Sequence, residues 1–225
     1  MNRGLFALAA ASCALAFCIG ARAADTPSGK PSAAEAPFVQ RVTADLNSRF
    51  AAPAQAEKAG YFRYNNEDNT GAISYANLHW DSSDGQPSQL WYDVNGKLLG
   101  ADYSIPITAA NISAPPNLWG VNSARWSKFG HAHVHYILKQ PDGTMKYGLA
   151  VGAAKFTAAG GDLKDPQPDT IVKMGKANSA ADVVRVFTFP AQWDLELWVT
   201  PNPNGAFADK NPLVHPSKNA APEEM

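Results

Sequence analysis

The predicted mature part of this chain contains no cysteine. Only two cysteines, Cys13 and Cys18, occur among the 225 residues, and both lie within the first 23. Those 23 residues have the pattern of a secretory signal peptide, with an early basic residue, an apolar run over 5–19 and small residues before a predicted cleavage after Ala23. We therefore expect a periplasmic or secreted protein whose mature form has no disulfides, no thiolate metal ligands and no cysteine nucleophile.

A second long hydrophobic run and an excess of basic residues are also lacking. The apolar run of the signal is shorter than the ~20 residues that a transmembrane helix needs, and no comparable run follows. The chain has 19 Lys and Arg against 20 Asp and Glu, and removal of Arg3 and Arg22 with the signal leaves 17 against 20. Because there is no basic cluster, we expect no nucleic-acid partner and no membrane span, and a small molecule is the expected class of ligand.

Familiar catalytic motifs are absent as well. The sequence has no Gly-x-Ser-x-Gly, no phosphate-binding loop, no haem-attachment motif and no repeat of fixed period. What the sequence does contain is a change of hydrophobic period along the chain. Phe38, Val42, Leu46 and Phe50 recur every four residues after Pro37, which predicts one amphipathic helix with proline at its first position.

From residue 61 onward the apolar residues alternate with polar ones, which is typical of β-strands. The dipeptide Asn95-Gly96 separates two such runs and is a strong signal for a tight hairpin. Strands are predicted over 73–80, 89–94, 97–101, 130–138, 145–151, 171–174, 183–189 and 193–200. The expected fold is mainly β, an antiparallel β-sandwich or barrel with one N-terminal amphipathic helix.

The same patterns divide the chain into four parts. Residues 1–23 are the signal peptide, and the Ala-, Pro- and Ser-rich 24–36 are predicted to be a disordered leader. Residues 37–200 are predicted to form a single β-rich domain that includes the helix, and 201–225 are predicted to form an irregular tail rich in Pro and Asn.

The most informative stretch is a row of alternating histidines. His131, His133 and His135 are three of the five histidines in the chain. On a strand they would share one face, and the residues between them would form an apolar face. Since alternate residues are ~6.6 Å apart, two neighbouring imidazoles can bind one ion at ~2.0–2.1 Å but three from a straight strand cannot easily do so.

A metal site would therefore need a ligand from another strand. His79 is the best candidate because it shares a polar face with Tyr75 and Asn77, and Glu196 is the next. The His-x-His pattern resembles the metal-binding strands of carbonic-anhydrase-like and cupin-like sites, over those few residues only. The leading hypothesis is an exported protein that binds Zn, Cu, Ni or Fe at His131, His133 and His135 with His79 or Glu196, and it includes metal-dependent hydrolase or lyase activity.

Three alternatives remain open. The histidines could simply form the solvated side of a strand whose other side is core. The chain could instead be a non-catalytic periplasmic protein that binds a small molecule or carbohydrate in an aromatic pocket. Its predicted ligand contacts would then be Trp91, Trp198, Tyr75 and Asn77.

The third alternative is a resemblance to a known family. The seven residues from His131 to Ile137 alternate histidine with apolar residues and resemble the histidine-triad motif. That resemblance implies that the middle histidine, His133, attacks a nucleotide phosphate.

Overall fold

The computed structural model describes residues 28–221, so the predicted signal peptide and its cleavage site lie outside the described residues. The fold is mainly β, with two antiparallel sheets and few helices. Its helices and strands are α1 Ala36–Arg49, α2 Pro53–Lys58, β1 Phe62–Arg63, β2 Ile73–Ala76, β3 Gln89–Tyr92, β4 Leu98–Pro106, β5 Ser127–Phe129, β6 His133–Lys139, β7 Met145–Gly152, α3 Ala153–Ala158, α4 Pro168–Lys173, β8 Val183–Phe189 and β9 Gln192–Trp198.

The larger sheet has six strands in the order β1-β2-β3-β4-β9-β5, and the smaller has three in the order β7-β6-β8. Every pair of neighbouring strands is antiparallel. Neither sheet of residues 28–221 closes into a barrel. Within the same residues no helix has the length and apolarity that crossing a membrane requires.

One face of the six-stranded sheet packs against α1. Proline at the start of α1 costs no hydrogen bond, and Phe38, Val42 and Leu46 are buried along one side of the helix. These side chains form one apolar cluster with Tyr103 of β4 and Leu195 of β9. At ~1.5–3 kcal/mol for each large buried side chain, this contact is a major source of stability.

The opposite face of the same sheet is polar. In β4, Ala101 and Tyr103 point towards α1, so the intervening Asp102 and the following Ser104 point away from it. The register of β4 with β9 sets Asp102 opposite Glu196.

The three-stranded sheet also has two different faces. Val134 and Tyr136 of β6 pack with Phe156 of α3 and Ile171 of α4. The alternate residues of β6 point the other way. There a further apolar cluster joins the two sheets, and its buried members are Tyr64, Ala76, Ile137, Phe187 and Phe189.

One predicted strand is helical in the structure, and several others begin or end at different residues. Residues 171–174 were expected to be a strand, but they lie at the end of α4 and in its C-cap, because Pro168 and Asp169 provide a favourable first helical turn. The strand predicted over 73–80 ends at Ala76, and Leu78 beyond it has a positive φ of 63°. A left-handed residue cannot continue a strand, so the alternation from Tyr75 to His79 is broken.

Candidate functional site

A cavity of about 280 Å³ lies where the polar face of the six-stranded sheet meets the histidine side of β6. We call it the inter-sheet cavity. Its walls come from both sheets, from the loop after β1 and from the segment after β9. Five of the lining side chains are carboxylic acids, which we call the acidic wall: Asp68, Asp102, Asp194, Glu196 and Asp209.

Asp102 is the most enclosed acid of this wall. The side chain of Trp91 donates from Nε1 to Oδ2 of Asp102 at 3.0 Å, and the residue is 8% exposed. Its other oxygen, Oδ1, is buried and has no hydrogen-bond partner among the described residues. A buried acceptor without a partner costs about 1–3 kcal/mol, so this oxygen is a place where a ligand donor would be stabilising.

Asp194 accepts hydrogen bonds from one residue of its own strand, β9, and from one residue of the neighbouring strand, β4. Oδ1 of Asp194 accepts from Ser104 Oγ at 2.7 Å and from Gln192 Nε2 at 2.9 Å. The remaining oxygen of the Gln192 amide, Oε1, is buried without a partner in the part of the chain that the structure describes. Burial raises the pKa of Asp194 to about 6, although these hydrogen bonds oppose the rise.

The proximity of the acids raises their pKa values further. Burial, followed by the negative charges of Glu196 and Asp194, raises the pKa of Asp102 well above its usual value. For Glu196 the same two causes, burial and then the charge of Asp194, raise the pKa to about 7. Glu196 as a whole residue is exposed to solvent, but other protein atoms surround its carboxyl group. We therefore place Glu196 at the mouth of the cavity. The acidic wall is thus partly protonated at neutral pH.

His133 and His135 form the opposite wall of the cavity. They are 5% and 1% exposed, and their Nε2 atoms lie 2.7 Å apart. His133 stacks on Phe189 and His135 stacks on Phe187, with ring centroids 4.9 and 5.3 Å apart. The edge of Tyr64 meets the His135 ring at 5.0 Å. The orientation of both imidazoles is therefore fixed by aromatic packing.

The packing also keeps both imidazoles neutral. Burial, aided by the charge of His131, lowers the pKa of His133 to about 4. Burial, aided by the charge of His133, lowers the pKa of His135 to about 3. Both Nδ1 atoms are buried without a hydrogen-bond partner in residues 28–221. In one pair of neutral tautomers, the Nε2–H of one histidine donates to the Nε2 of the other. If both protons are on Nδ1, the lone pairs of the two Nε2 atoms can bind a cation together.

The other predicted metal ligands lie in three different places, and only one of them lines the cavity. Glu196 lines the same cavity as His133 and His135. His131 precedes β6 and is exposed beside the ring of Phe129. His79 lies in the loop after β2 with Nε2 at 3.3 Å from Asp84 Oδ2, and it does not line the cavity. Across residues 28–221 no three His, Asp or Glu side chains are gathered closely enough to hold one metal ion.

The predicted aromatic contacts also separate into two groups. Trp91 and Trp198 both line the inter-sheet cavity and meet edge to face at 5.6 Å. Tyr75 packs in the core against Tyr92, on the α1 side of the sheet. Asn77 holds the turn after β2, where its side chain bonds the backbone of His79 and Pro87.

Sequence reasoning missed Asp102, Asp194, Asp68 and Asp209 as site residues. The alternation of Asp194 with Glu196 in β9 was a usable signal, because both occupy the polar side of that strand. Asp102 was missed because the predicted strand ended at 101, whereas β4 continues to Pro106. Asp68 and Asp209 lie outside the strands, and no local pattern indicates where such residues will lie.

No protein-family model matches this chain, and no curated protein and no solved structure matches it either.

Proposed function

We propose that this chain is an exported β-sandwich protein that binds a small polar molecule between its two sheets. The apolar cluster that joins β1 and β2 to β6 and β8 supports face-to-face packing of the sheets. The observation that carries the proposal is the inter-sheet cavity itself, which combines fixed aromatic rings with buried polar atoms that lack partners. Ligand sites generally have this composition, and their volumes usually begin near ~300 Å³, so a ligand for about 280 Å³ is small.

The acidic wall disfavours the histidine-triad alternative. A nucleotide phosphate at His133 would meet five carboxylic acids, and no Lys or Arg lines the cavity. Phosphate sites rely on basic side chains or on backbone N–H groups at helix starts, and His133 lies at the start of a strand.

The test is a thermal-shift screen of the mature protein against amines, polyols, hydroxy acids and monosaccharides. A matched pair of variants locates the binding. Glu196→Trp fills the exposed mouth of the cavity, whereas Glu57→Trp adds the same side chain to the exposed surface of α2. Compounds that raise the melting temperature should lose their effect in Glu196→Trp and keep it in Glu57→Trp. A panel without any stabilising compound, or compounds that still act on Glu196→Trp, would refute the proposal.

A transition-metal ion is the second candidate ligand, and the geometry of the histidine pair favours it. Two nitrogen ligands at ~2.05 Å from an ion would be ~2.9 Å apart at a right angle and ~3.3 Å apart at the tetrahedral angle of zinc. The 2.7 Å between the Nε2 atoms of His133 and His135 is nearer to the right angle, which suits Cu²⁺ or Ni²⁺. Glu196 would supply the third ligand after a side-chain movement, and hydrolase or lyase chemistry would follow from the open positions.

Titration of metal-free protein with Zn²⁺, Cu²⁺ or Ni²⁺ tests this second candidate. Calorimetry should give one ion per chain, with binding lost in His133→Ala. The control is His215→Ala, which removes an exposed histidine from the C-terminal segment. Equal binding by both variants would assign the ion to surface histidines and exclude the His133–His135 pair.

A further inference from the structure

The acidic wall has an unbalanced charge. The cavity lining contains five carboxylic acids, and its nitrogen-bearing titratable side chains are two histidines kept neutral by burial. The ion pairs Arg49–Asp45, His79–Asp84 and Arg125–Glu35 do not involve the acidic wall, and no Lys or Arg is among the described residues that line the cavity. Any carboxylate that ionises in this cavity therefore lacks a positive partner from the described chain.

Asp102 provides an independent sign of a missing partner. It is more than nine-tenths buried, it lines the cavity, and Oδ1 has no hydrogen-bond donor from residues 28–221. The Trp91 indole already holds the other oxygen, so the orientation of the carboxyl group is fixed. Less than 1 Å² of Oδ1 is exposed, so a donor that enters the cavity would satisfy this oxygen once the groups that cover it move aside.

The two tryptophans extend the same wall with aromatic surface. Trp198 donates from Nε1 to the backbone oxygen of Ala208 at 2.6 Å, as Trp91 donates to Asp102, so both rings are held in place. Indole faces attract cations, and they also cover alkyl groups. Carboxylates beside fixed indole rings are the combination that accommodates an organic cation.

A bare metal ion fits this wall less well. The acids of the described chain are not gathered around one point as the ligands of a single ion would be. An organic cation is larger and can meet several spaced acceptors at once. We propose that the inter-sheet cavity binds a small organic ammonium ion, which donates N–H to Asp102 Oδ1 and to Asp194 or Glu196 and lies against Trp91 and Trp198. This inference rests on the proposed function, since it names the ligand class of the same cavity.

Binding of an ammonium ion should depend on pH. Ionised carboxylates attract the cation, and Asp194 and Glu196 have pKa values of about 6 and about 7. Affinity should therefore rise between pH 5.5 and 8, with release of protons on binding. The titratable groups around this space are Asp102 on β4, Asp194 and Glu196 on β9, His133 and His135 on β6, Tyr64 after β1, Asp68 before β2 and Asp209 after β9.

Isothermal titration calorimetry on the mature protein at pH 8 tests the inference with three probes of equal length. These are 1,4-diaminobutane, 4-amino-1-butanol and 1,4-butanediol. Both amines should bind, and the uncharged diol should bind at least tenfold more weakly. Asp102→Asn keeps an acceptor for Trp91 but removes the carboxyl group that can ionise beside a bound cation, and it should weaken amine binding at least tenfold. Glu196→Gln, at the exposed mouth, gives an independent second variant, and Glu57→Gln on α2 is the control that should bind as the wild type does.

The outcomes separate this inference from the proposed function. Equal affinity for the diol and the amines would overturn the cation inference while small-molecule binding stands. Failure of all three probes, together with binding of a hydroxy acid or sugar in the thermal-shift panel, would also overturn the cation inference while small-molecule binding stands. Failure of every compound in both experiments would overturn both. Tighter binding of Mg²⁺, Ca²⁺ or Zn²⁺ that is lost in Asp102→Asn would show that the occupant is a metal ion and would also overturn the inference.

Discussion

Replacement of Asp194 by Asn should stabilise the protein at neutral pH but not in acid. In the folded protein Asp194 has a pKa of about 6, compared with 3.8 for an ordinary Asp. A group whose folded-state pKa is raised favours the folded state fully below pH 3.8, and this advantage is lost as the pH rises to about 6. Asn does not titrate, so the variant should not lose stability over this range.

The size of the effect follows from the two pKa values. A pKa difference of one corresponds to about 1.4 kcal/mol, so the rise from 3.8 to about 6 corresponds to about 3 kcal/mol. Roughly 2.5 kcal/mol of this should appear between pH 4.0 and pH 7.5. The hydrogen bonds of the site can adapt to Asn. Ser104 Oγ still donates to the retained oxygen, and a flip of the Gln192 amide lets its unpaired Oε1 accept from the new Asn N–H group.

Urea unfolding of both proteins at pH 4.0, 5.0, 6.0 and 7.5 measures the effect. The free energy of unfolding of the variant relative to the wild type should increase steadily with pH, at an unchanged dependence on urea. Titration of His133 and His135 affects both proteins alike, so it cancels in the difference. Glu57→Gln supplies the control for loss of an exposed carboxylate. A difference that is independent of pH, or an Asn variant that is less stable than the wild type at pH 7.5, would refute the reasoning.

Two further predictions concern a buried ion pair beside α1 and a close packing contact in the six-stranded sheet. Arg125→Met should lower the free energy of unfolding by about 3–5 kcal/mol in urea, because it leaves Glu35, which is 1% exposed, without the guanidinium that lies 3.1 Å from it. An unchanged urea midpoint would show that this ion pair has no net effect. Gly100→Ala should cost about 1–3 kcal/mol, because a new Cβ would overlap the Leu197 carbonyl oxygen and the Trp91 ring. Near-ultraviolet circular dichroism should show displacement of that tryptophan, and an unaltered spectrum would contradict the packing described here.

Local patterns in the sequence predicted those elements whose cause is local. The four-residue spacing of apolar side chains corresponds to α1. The turn at Asn95-Gly96 joins β3 to β4 with a positive φ of 79° at the glycine, but Asn95 lacks the positive φ that a two-residue Asn-Gly hairpin also requires. The short apolar run over 171–174 was misassigned because four residues do not distinguish a buried strand from a helical turn. There Pro168 and the tertiary contacts of Ile171 favour the helix.

The histidine row also separates what the sequence can determine from what it cannot. Alternation along a strand is a property of the backbone, so the sequence by itself determined that His133 and His135 share one side of β6. It could not determine where β6 begins, and His131 lies before that strand and is exposed.

Only the tertiary structure decided what faces the two buried histidines. Glu196 lies across the same cavity because β9 pairs with β4 in one particular register and the two sheets meet through side chains that are distant in the chain. His79 is kept away by the left-handed turn at Leu78 and the contact with Asp84. The sequence therefore determined the chemistry of each strand face. Pairing and packing over long range decided that an acidic wall, and not a third histidine, completes the site.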